Sequence, residues 1–207
     1  MPPLFKLCYI TGPESAGLAA VEQILNQAVS AGIDLIQVRG RNMDPRLLSR
    51  MAKRAIDCAR GSSTRVVLND RLDYALALGA AGVHLGNHSI PAARVRDIIP
   101  AGFLMGVSCH SLEEALAAQS AGADYIILGP VFDTPSKRTY GPPLGLDRFR
   151  EAVAHVKTPV LAIGGITTES VKSCLDAGAA GIAAIRLFQE APSLARRVSE
   201  LRAQFPI

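Results

Sequence analysis

The feature that most constrains the fold is a regular alternation, along the whole chain, of short apolar runs with longer amphipathic segments. The apolar runs are continuous rather than alternating in hydrophobicity, which is typical of strands buried on both faces of a parallel sheet. The eight runs are Leu7–Ile10, Leu35–Val38, Val66–Leu68, Val83–Leu85, Leu104–Val107, Tyr125–Leu128, Val160–Ile163 and Ile182–Ile185. Eight strands suffice to close a barrel. The pattern therefore predicts an α/β protein, a single (β/α)8 TIM barrel whose one domain spans residues 1–207.

The segments between the apolar runs have the spacing and the end signals of helices. Helices are predicted over Pro91–Ile99, Leu112–Ala121, Asp147–Val156 and Ser193–Phe205. Ser111, followed three residues later by Glu114, predicts a capping box. A unit containing Ala-Gly recurs where a helix ends and a strand begins, as at residues 31–36 and 121–126. Its glycine can adopt the left-handed backbone conformation that ends a helix. This repetition favours duplicated βα units over a mixed sheet.

Composition excludes several classes of protein. Hydrophobic residues make up 49% of the 207 residues and charged residues 19%, so the chain has apolar material for a core and is not expected to be disordered. The net charge of +4 includes no long run of Lys or Arg, so no nucleic-acid partner is expected. The sequence contains neither a signal peptide pattern nor an apolar run of membrane-spanning length, which predicts a cytoplasmic protein without a membrane partner. The four cysteines are far apart and are predicted to be small buried residues.

Candidate functional residues follow from the barrel, because its chemistry lies just beyond the C-terminal ends of the strands. The residues at those positions, taken in chain order, are Gln37, Arg39, Arg41, Asn69, Asp70, Gly86, Asn87, His88, Ser89, Ser108, Cys109, His110, Thr134, Pro135, Ser136, Lys137, Gly164, Gly165 and Arg186, with Ile185 ending the last strand. His84 lies within a strand and is predicted to be a core histidine. The Pro- and Gly-rich segment Val131–Gly145 is long enough to predict a functional loop.

These residue types indicate a site for small phosphorylated molecules. Arg39, Arg41 and Lys137 come from separate loops and can contact phosphate oxygens. Asp70 would repel a phosphate unless a hard cation lay between them, so Mg2+ is the predicted cofactor. Gly164 and Gly165 follow the seventh strand, where this fold usually binds phosphate through backbone N–H groups.

Six strings resemble the thiamine phosphate synthase family, in order and over nearly the whole chain. They are Gln37–Arg41, Leu68–Arg71, Gly82–Gly86, Gly106–His110, Gly129–Lys137 and Ala162–Ile166. The same superfamily contains the TenI-type thiazole tautomerases. The resemblance implies a transferase that joins an aminopyrimidine methyl pyrophosphate to a thiazole phosphate and releases pyrophosphate.

The resemblance also implies a role for each matching residue. The pyrimidine pyrophosphate would be held by Gln37, Arg39, Arg41, Asn69, Ser108 and Lys137. Asp70 would bind Mg2+, and the thiazole phosphate site would consist of Thr134, Pro135, Ser136, Gly165, Ile185 and Arg186. The residues expected to take part in catalysis are Arg39, Lys137, Ser108 and His110, the last as the candidate for proton transfer. The partners are then the two phosphorylated substrates, and association into a homo-oligomer is left open.

Three positions depart from the family pattern. Ser89 stands where the family has its second metal-binding aspartate, Arg41 stands where a lysine is usual, and Arg186 replaces a usually small residue. The tautomerase branch tends to lose the metal-site acids and uses a histidine matching His110, so thiazole tautomerisation is one alternative function. A non-catalytic regulator that binds thiamine phosphate is another. The retained Asp70 and Lys137 favour the synthase, because a tautomerase needs no pyrophosphate site.

Overall fold

The computed structural model describes residues 5–12, 18–40, 42–134 and 142–206, in which strands and helices alternate. The strands are β1 Leu7–Ile10, β2 Leu35–Val38, β3 Arg65–Asn69, β4 Gly82–Leu85, β5 Leu104–Cys109, β6 Tyr125–Leu128, β7 Val160–Ile163 and β8 Gly181–Ala184. The helices are α1 Leu18–Ser30, α2 Pro45–Ala59, α3 Leu72–Leu78, α4 Ala92–Arg96, α5 Leu112–Ser120, α6 Gly145–His155, α7 Val171–Asp176, α8 Arg186–Gln189 and α9 Leu194–Arg202.

All strand pairings are parallel, and they close the sheet into a barrel. Each strand pairs with the next in the chain, and β1 completes the circle by pairing with β8 through Cys8 and Ala183. The predicted (β/α)8 barrel is therefore confirmed. Within the described ranges, no helix has both the length and the apolar character needed to cross a bilayer.

Two apolar clusters form the core, one inside the barrel and one between the strands and the surrounding helices. Successive side chains of a strand point to opposite faces, so Leu7 and Tyr9 belong to the outer cluster while Cys8 and Ile10 belong to the inner one. The inner cluster consists of Phe5, Cys8, Ile10, Leu35, Val67, Leu104, Tyr125, Ile127, Leu161 and Ala183.

The inward-facing positions change from apolar to polar towards the C-terminal ends of the strands. On β2 the inward Leu35 is followed two residues later by Gln37, and on β5 the inward Leu104 is followed by Gly106 and Ser108. The same alternation that fills the barrel with aliphatic groups therefore brings polar side chains together at its C-terminal mouth.

The strand boundaries differ slightly from the predicted ones. β8 ends at Ala184 rather than Ile185, because Ile185 already has φ −100° and ψ −75° and precedes α8. β5 continues to Cys109, which pairs with Leu128 of β6.

The prediction that the cysteines are buried is confirmed for Cys8, Cys109 and Cys174, which are also free. Cys58 is free but only half-buried.

The predicted helices exist with changed ends. The helix predicted over Pro91–Ile99 is limited to Ala92–Arg96, and the one predicted from Asp147 begins at Gly145. The Ser111 hydroxyl caps α5 by accepting a hydrogen bond from the Glu114 N–H at 3.2 Å. A capping box also requires that the Glu114 carboxylate accept a hydrogen bond from the Ser111 N–H. This part of the prediction is wrong, because the carboxylate accepts instead from the His110 N–H at 2.7 Å.

Candidate active site

Asp70 is the centre of a hydrogen-bonded cluster that joins the loops after β3 and β4. Its backbone has φ 60°, a left-handed conformation that is uncommon outside glycine. Its Oδ1 accepts hydrogen bonds from the Gly86 N–H at 3.2 Å and from the Ser89 hydroxyl, and its Oδ2 accepts from the Asn69 amide at 2.6 Å. Asp70 is exposed, so these contacts hold a carboxylate at the surface of the barrel mouth.

The oxygen atoms of this cluster fit a magnesium ion that takes further ligands from a substrate. Mg2+ is usually held by one or two carboxylates together with phosphate oxygens and water. Asp70 offers the carboxylate, and the Ser89 hydroxyl adds a neutral oxygen beside it. Among the residues that the structure describes, no three His, Cys, Asp or Glu side chains are grouped to hold a metal ion by themselves. The donor set thus fits a cation shared with a phosphorylated ligand.

Gln37 and Arg39 extend this surface at the end of β2. Gln37 is 2% exposed, and its side-chain Nε2 has no hydrogen-bond partner among the residues that the structure describes. Leaving a buried donor unpaired costs about 1–3 kcal/mol. A ligand that offers an acceptor to this amide would therefore be bound more favourably. The backbone of Arg39 is fixed by buried Thr11, whose hydroxyl oxygen accepts from the Arg39 N–H and donates to the Arg39 carbonyl, both at 2.8 Å.

A hydrogen-bonded chain of three side chains lies inside the barrel below the mouth. The Nε2 of buried His84 is 2.8 Å from the Ser108 hydroxyl oxygen, and its Nδ1 is 3.1 Å from the Tyr125 hydroxyl. Burial lowers the pKa of His84 to about 3; the Asp70 carboxylate opposes that shift, and Arg39 adds to it. His84 is buried as predicted for a core residue, but its contacts connect it to a candidate substrate-binding side chain.

The backbone after β7 packs closely against the segment after β6. Gly164 and Gly165 have φ values of 97° and 64°, and a Cβ atom at these positions would collide with Pro130 and Phe132, respectively. The Phe132 N–H donates to the Gly164 carbonyl at 3.0 Å. Only glycine satisfies both the conformation and the close approach, so these two glycines allow the segments after β6 and β7 to pack together.

The other predicted thiazole-side residues lie at the ends of β6 and β8. Thr134 is buried in the segment that follows β6. Ile185 is half-buried and precedes α8, and exposed Arg186 is the first residue of that short helix. The candidates Arg41, Pro135, Ser136 and Lys137 lie outside the described residues.

His110 lies just beyond β5, beside an acidic and an amide side chain. Its Nδ1 is 3.3 Å from Glu114 Oε2 and 3.4 Å from the side-chain nitrogen of Asn87. The imidazole is therefore positioned by α5 and by the loop after β4. It is one third exposed, so a molecule in the barrel mouth could reach it.

Comparison with known proteins identifies the family. The family described as thiamine monophosphate synthase matches residues 7–188. The chain belongs to the thiamine monophosphate synthase family. It is 39% identical over 183 residues to the thiamine-phosphate synthase of Roseiflexus sp. (strain RS-1), covering 88% of this chain and 78% of that protein. It is 38% identical over 196 residues to the thiamine-phosphate synthase of Methanoregula boonei, covering 95% and 91%.

A solved structure agrees with this family assignment. The thiamine phosphate pyrophosphorylase from Pyrococcus furiosus superimposes with a TM-score of 0.85 at 33% sequence identity, covering 97% of this chain and 95% of that one. The candidate binding residues for both substrates that the structure describes follow strands of one closed barrel. Gln37, Asn69 and Ser108 therefore lie at the same end of the barrel as the segments that contain Thr134 and Gly165.

Sequence reasoning did not single out Thr11, and it treated His84 only as a core residue. Thr11 follows an apolar strand, and its contacts to Arg39 depend on the pairing of β1 with β2. His84 could have been noticed from its inward position two residues after Gly82, near the polar end of β4. Local sequence alone did not indicate which side chains either residue contacts.

Proposed function

We propose that this protein forms thiamine phosphate from an aminopyrimidine methyl pyrophosphate and a thiazole phosphate, with release of pyrophosphate. The relatives that it matches over 88% and 95% of its length are named thiamine-phosphate synthases. The observation in the structure that carries the proposal is the carboxylate of Asp70, held by Asn69 and Ser89 at the mouth of the barrel. A carboxylate among groups that bind phosphate suits a reaction whose leaving group is a pyrophosphate that shares a cation with the protein.

The reaction exchanges one bond to the methylene carbon of the pyrimidine for another. The carbon–oxygen bond to pyrophosphate breaks, and its electron pair leaves with the oxygen. The lone pair of the thiazole nitrogen forms the new carbon–nitrogen bond, which gives the product its positively charged thiazolium ring. No proton is transferred in this step, so the protein mainly positions two reactants and stabilises the departing charge.

The residues on the pyrimidine side have distinct tasks in this proposal. The unpaired Gln37 amide and the Ser108 hydroxyl bind and orient the pyrimidine substrate. Arg39, together with Arg41 and Lys137, stabilises the negative charge that collects on pyrophosphate. Asp70 is the residue that would hold Mg2+, with Asn69 fixing its orientation and Ser89 beside it. When bound, Mg2+ would add a positive charge that makes pyrophosphate a better leaving group.

The thiazole phosphate is assigned to the opposite loops. The half-buried Gly165 follows β7, where this fold usually binds phosphate through backbone N–H groups, and Thr134, Pro135, Ser136 and Ile185 complete the site. Arg186 adds a cation at the beginning of α8. A cytoplasmic location is part of the proposal, because the free cysteines Cys8, Cys58, Cys109 and Cys174 are typical of a reducing compartment.

Substitution of Asp70 tests the proposed function. With both phosphorylated substrates and saturating Mg2+, Asp70→Ala should lower the rate of thiamine phosphate formation by roughly a hundredfold or more, because the leaving-group charge is less well stabilised. Asp176→Ala is a matched control, since it removes an exposed carboxylate that pairs with Lys172 on the helix before β8. Circular dichroism verifies the fold of both variants. Full activity of Asp70→Ala would refute the role of this carboxylate.

Thiazole tautomerisation is a second candidate, and the position of His110 favours it. An imidazole beside the Glu114 carboxylate at the barrel mouth can move a proton between two atoms of a bound thiazole. Coupling needs no such base, so the same purified protein should be assayed for isomerisation of a thiazole phosphate without the pyrimidine substrate. Isomerisation that is lost in His110→Ala, together with no coupling, would support the tautomerase.

A further inference from the structure

The chain of side chains formed by Tyr125, His84 and Ser108 crosses three neighbouring strands of the barrel. The strand register aligns His84 of β4 with Gly106 of β5, and Gly106 with Tyr125 of β6. A Cβ atom on Gly106 would overlap the Tyr125 ring and approach His84 Nδ1 to 2.5 Å. The missing side chain at position 106 is therefore what allows the hydrogen bond between His84 and Tyr125 to span β5.

The Tyr125 hydroxyl determines which nitrogen of His84 carries the hydrogen. Tyr125 is fully buried, and burial raises its pKa well above the usual range, so it remains a phenol that has a hydrogen to donate. Within the described part of the chain, the acceptor that it reaches is His84 Nδ1, at 3.1 Å. An Nδ1 that accepts this bond carries no hydrogen, so the single hydrogen of the neutral ring is on Nε2.

The direction of the next hydrogen bond follows from that assignment. His84 Nε2 is 2.8 Å from Ser108 Oγ, so the ring donates and the serine oxygen accepts. The hydroxyl hydrogen of Ser108 is then not used toward His84. Ser108 lies two residues beyond Gly106 on the same inward face of β5, next to the barrel mouth, where a ligand can accept that hydrogen.

We propose that His84 is a positioning residue that turns Ser108 into a hydrogen-bond donor toward an acceptor atom of the pyrimidine substrate. Tyr125 fixes the imidazole with hydrogen on Nε2, and Nε2 holds the serine oxygen so that its hydrogen is directed to the substrate. The identity of that substrate rests on the proposed function, whereas the hydrogen-bond directions rest on the geometry of the three side chains alone. Without Tyr125 the ring could take either tautomer, and Ser108 would spend part of its time donating to His84.

Nuclear magnetic resonance of the imidazole nitrogens tests the arrangement directly, without any substrate. Long-range proton–nitrogen spectra of the wild-type protein at neutral pH should show His84 with hydrogen on Nε2 and a bare Nδ1, with the signals assigned by their loss in His84→Gln. Tyr125→Phe keeps the aromatic ring and should give a mixture of the two tautomers. Tyr9→Phe removes another buried hydroxyl, which binds Gln189, and should leave the His84 signals unchanged.

Steady-state kinetics test the consequence for the substrate. Tyr125→Phe should lower kcat/KM for the pyrimidine substrate by about tenfold, the usual size of one lost hydrogen bond, while the KM for thiazole phosphate changes less than about twofold. In a Ser108→Ala background the same change should cost less than about twofold, because the hydroxyl that His84 orients is already absent. A purely structural role of Tyr125 would instead give equal losses in both backgrounds.

Two results would overturn this proposal. One is a wild-type His84 with hydrogen on Nδ1, and the other is a full additional loss from Tyr125→Phe in the Ser108→Ala background. Failure of the proposed function is distinguishable from both. A protein that makes no thiamine phosphate but shows the Nε2 tautomer, lost in Tyr125→Phe, would retain the hydrogen-bond chain and refute only the identity of the substrate.

Discussion

At the level of single residues, position 89 bears on the proposed Mg2+ site, because it sets how much negative charge would face the ion at the barrel mouth. A serine stands there beside Asp70, so one carboxylate is available where the resemblance implies two. A neutral hydroxyl is a weaker ligand for Mg2+ than a carboxylate. In the proposed site, substrate phosphate oxygens would therefore be needed to complete the coordination of the ion.

Ser89→Asp should restore the second acidic ligand. We expect the Mg2+ concentration for half-maximal thiamine phosphate formation to fall by roughly tenfold, because a second hard anionic ligand is added. Calorimetric titration of Mg2+ in the presence of pyrophosphate should show the same gain without relying on activity. Ser89→Ala is the control for loss of the hydroxyl alone. An unchanged Mg2+ dependence in Ser89→Asp would mean that position 89 lies outside the coordination sphere.

His84 should make the fold sensitive to acid. Burial lowers its pKa from 6.5 to about 3, so between these values the unfolded chain binds a proton that the folded protein does not. Stability therefore falls as pH decreases through this window, by about 2 kcal/mol between pH 6.5 and 5 if this group acts alone. Urea unfolding at a series of pH values should show a shallower decline for His84→Gln than for wild type.

The control for this measurement is His155→Gln, which replaces an exposed histidine on α6. It should retain the pH dependence of the wild type. If His84→Gln and wild type lost stability in parallel over this pH range, the buried imidazole would not be the acid-sensitive group.

At the level of elements, two similar hydrogen-bonded groups, each centred on an aspartate and called clamps below, connect the N-terminal ends of neighbouring strands to a helix. Ahead of β2, the carboxylate of Asp34 accepts hydrogen bonds from the backbone N–H groups of Lys6 and Leu7 at 3.0 and 2.8 Å. Arg202 of α9 binds this carboxylate at 2.7 Å and also donates to the Gly32 carbonyl. One aspartate thus connects the beginning of β1, the beginning of β2 and the last helix.

The second clamp has the same construction four strands further along. Ahead of β6, Asp124 accepts from the Met105 N–H of β5 at 2.7 Å and from Arg96 of α4 at 2.7 Å. Arg96 also donates to the Gly122 carbonyl at 2.5 Å. Both clamps use the Ala-Gly-x-Asp unit seen in the sequence, so the repeat has an energetic role as well as a role in ending helices.

Asp124→Ala should destabilise the barrel without affecting its chemistry. The change leaves the Met105 N–H and the Arg96 guanidinium without this acceptor, and hydrogen bonds to a charged group contribute about 1.5–3 kcal/mol. Urea unfolding should show a loss of that order, with kcat/KM unchanged, since the clamp lies at the end of the barrel opposite the strand ends that carry the site. A large fall in kcat/KM at a temperature where the variant is folded would contradict this separation.

The strands were predictable from the sequence because each is a short apolar run, and their exact ends were not. β5 continues through polar Ser108 because the pairing with β6 extends to Cys109, and this pairing is a long-range property. The helix predicted to Ile99 stops at Arg96, although Val95 is buried as the apolar pattern requires. Hydrophobic periodicity therefore located the elements, while tertiary contacts fixed their boundaries.

At the level of the whole molecule, barrel closure explains why candidate site residues could be found without coordinates. Residues that follow different strands are far apart in sequence, but parallel strands in a closed barrel bring them to one mouth. Contacts between side chains of different strands could not be predicted in this way. The link between His84 and Ser108, and that between Tyr9 and Gln189, depend on strand register and on rotamers that local sequence does not specify.

As a whole, the protein is expected to couple two phosphorylated substrates, and analysis of the products that it forms can establish this. Purified protein supplied with the aminopyrimidine methyl pyrophosphate, the thiazole phosphate and Mg2+ should yield thiamine phosphate and pyrophosphate in equal amounts. Lys137→Ala should lower this rate by roughly a hundredfold, whereas His110→Ala should change it by only a few fold, because departure of pyrophosphate needs charge stabilisation rather than a base. Absence of thiamine phosphate at saturating Mg2+, with thiazole isomerisation that His110→Ala abolishes, would show that the protein is an isomerase and not a synthase.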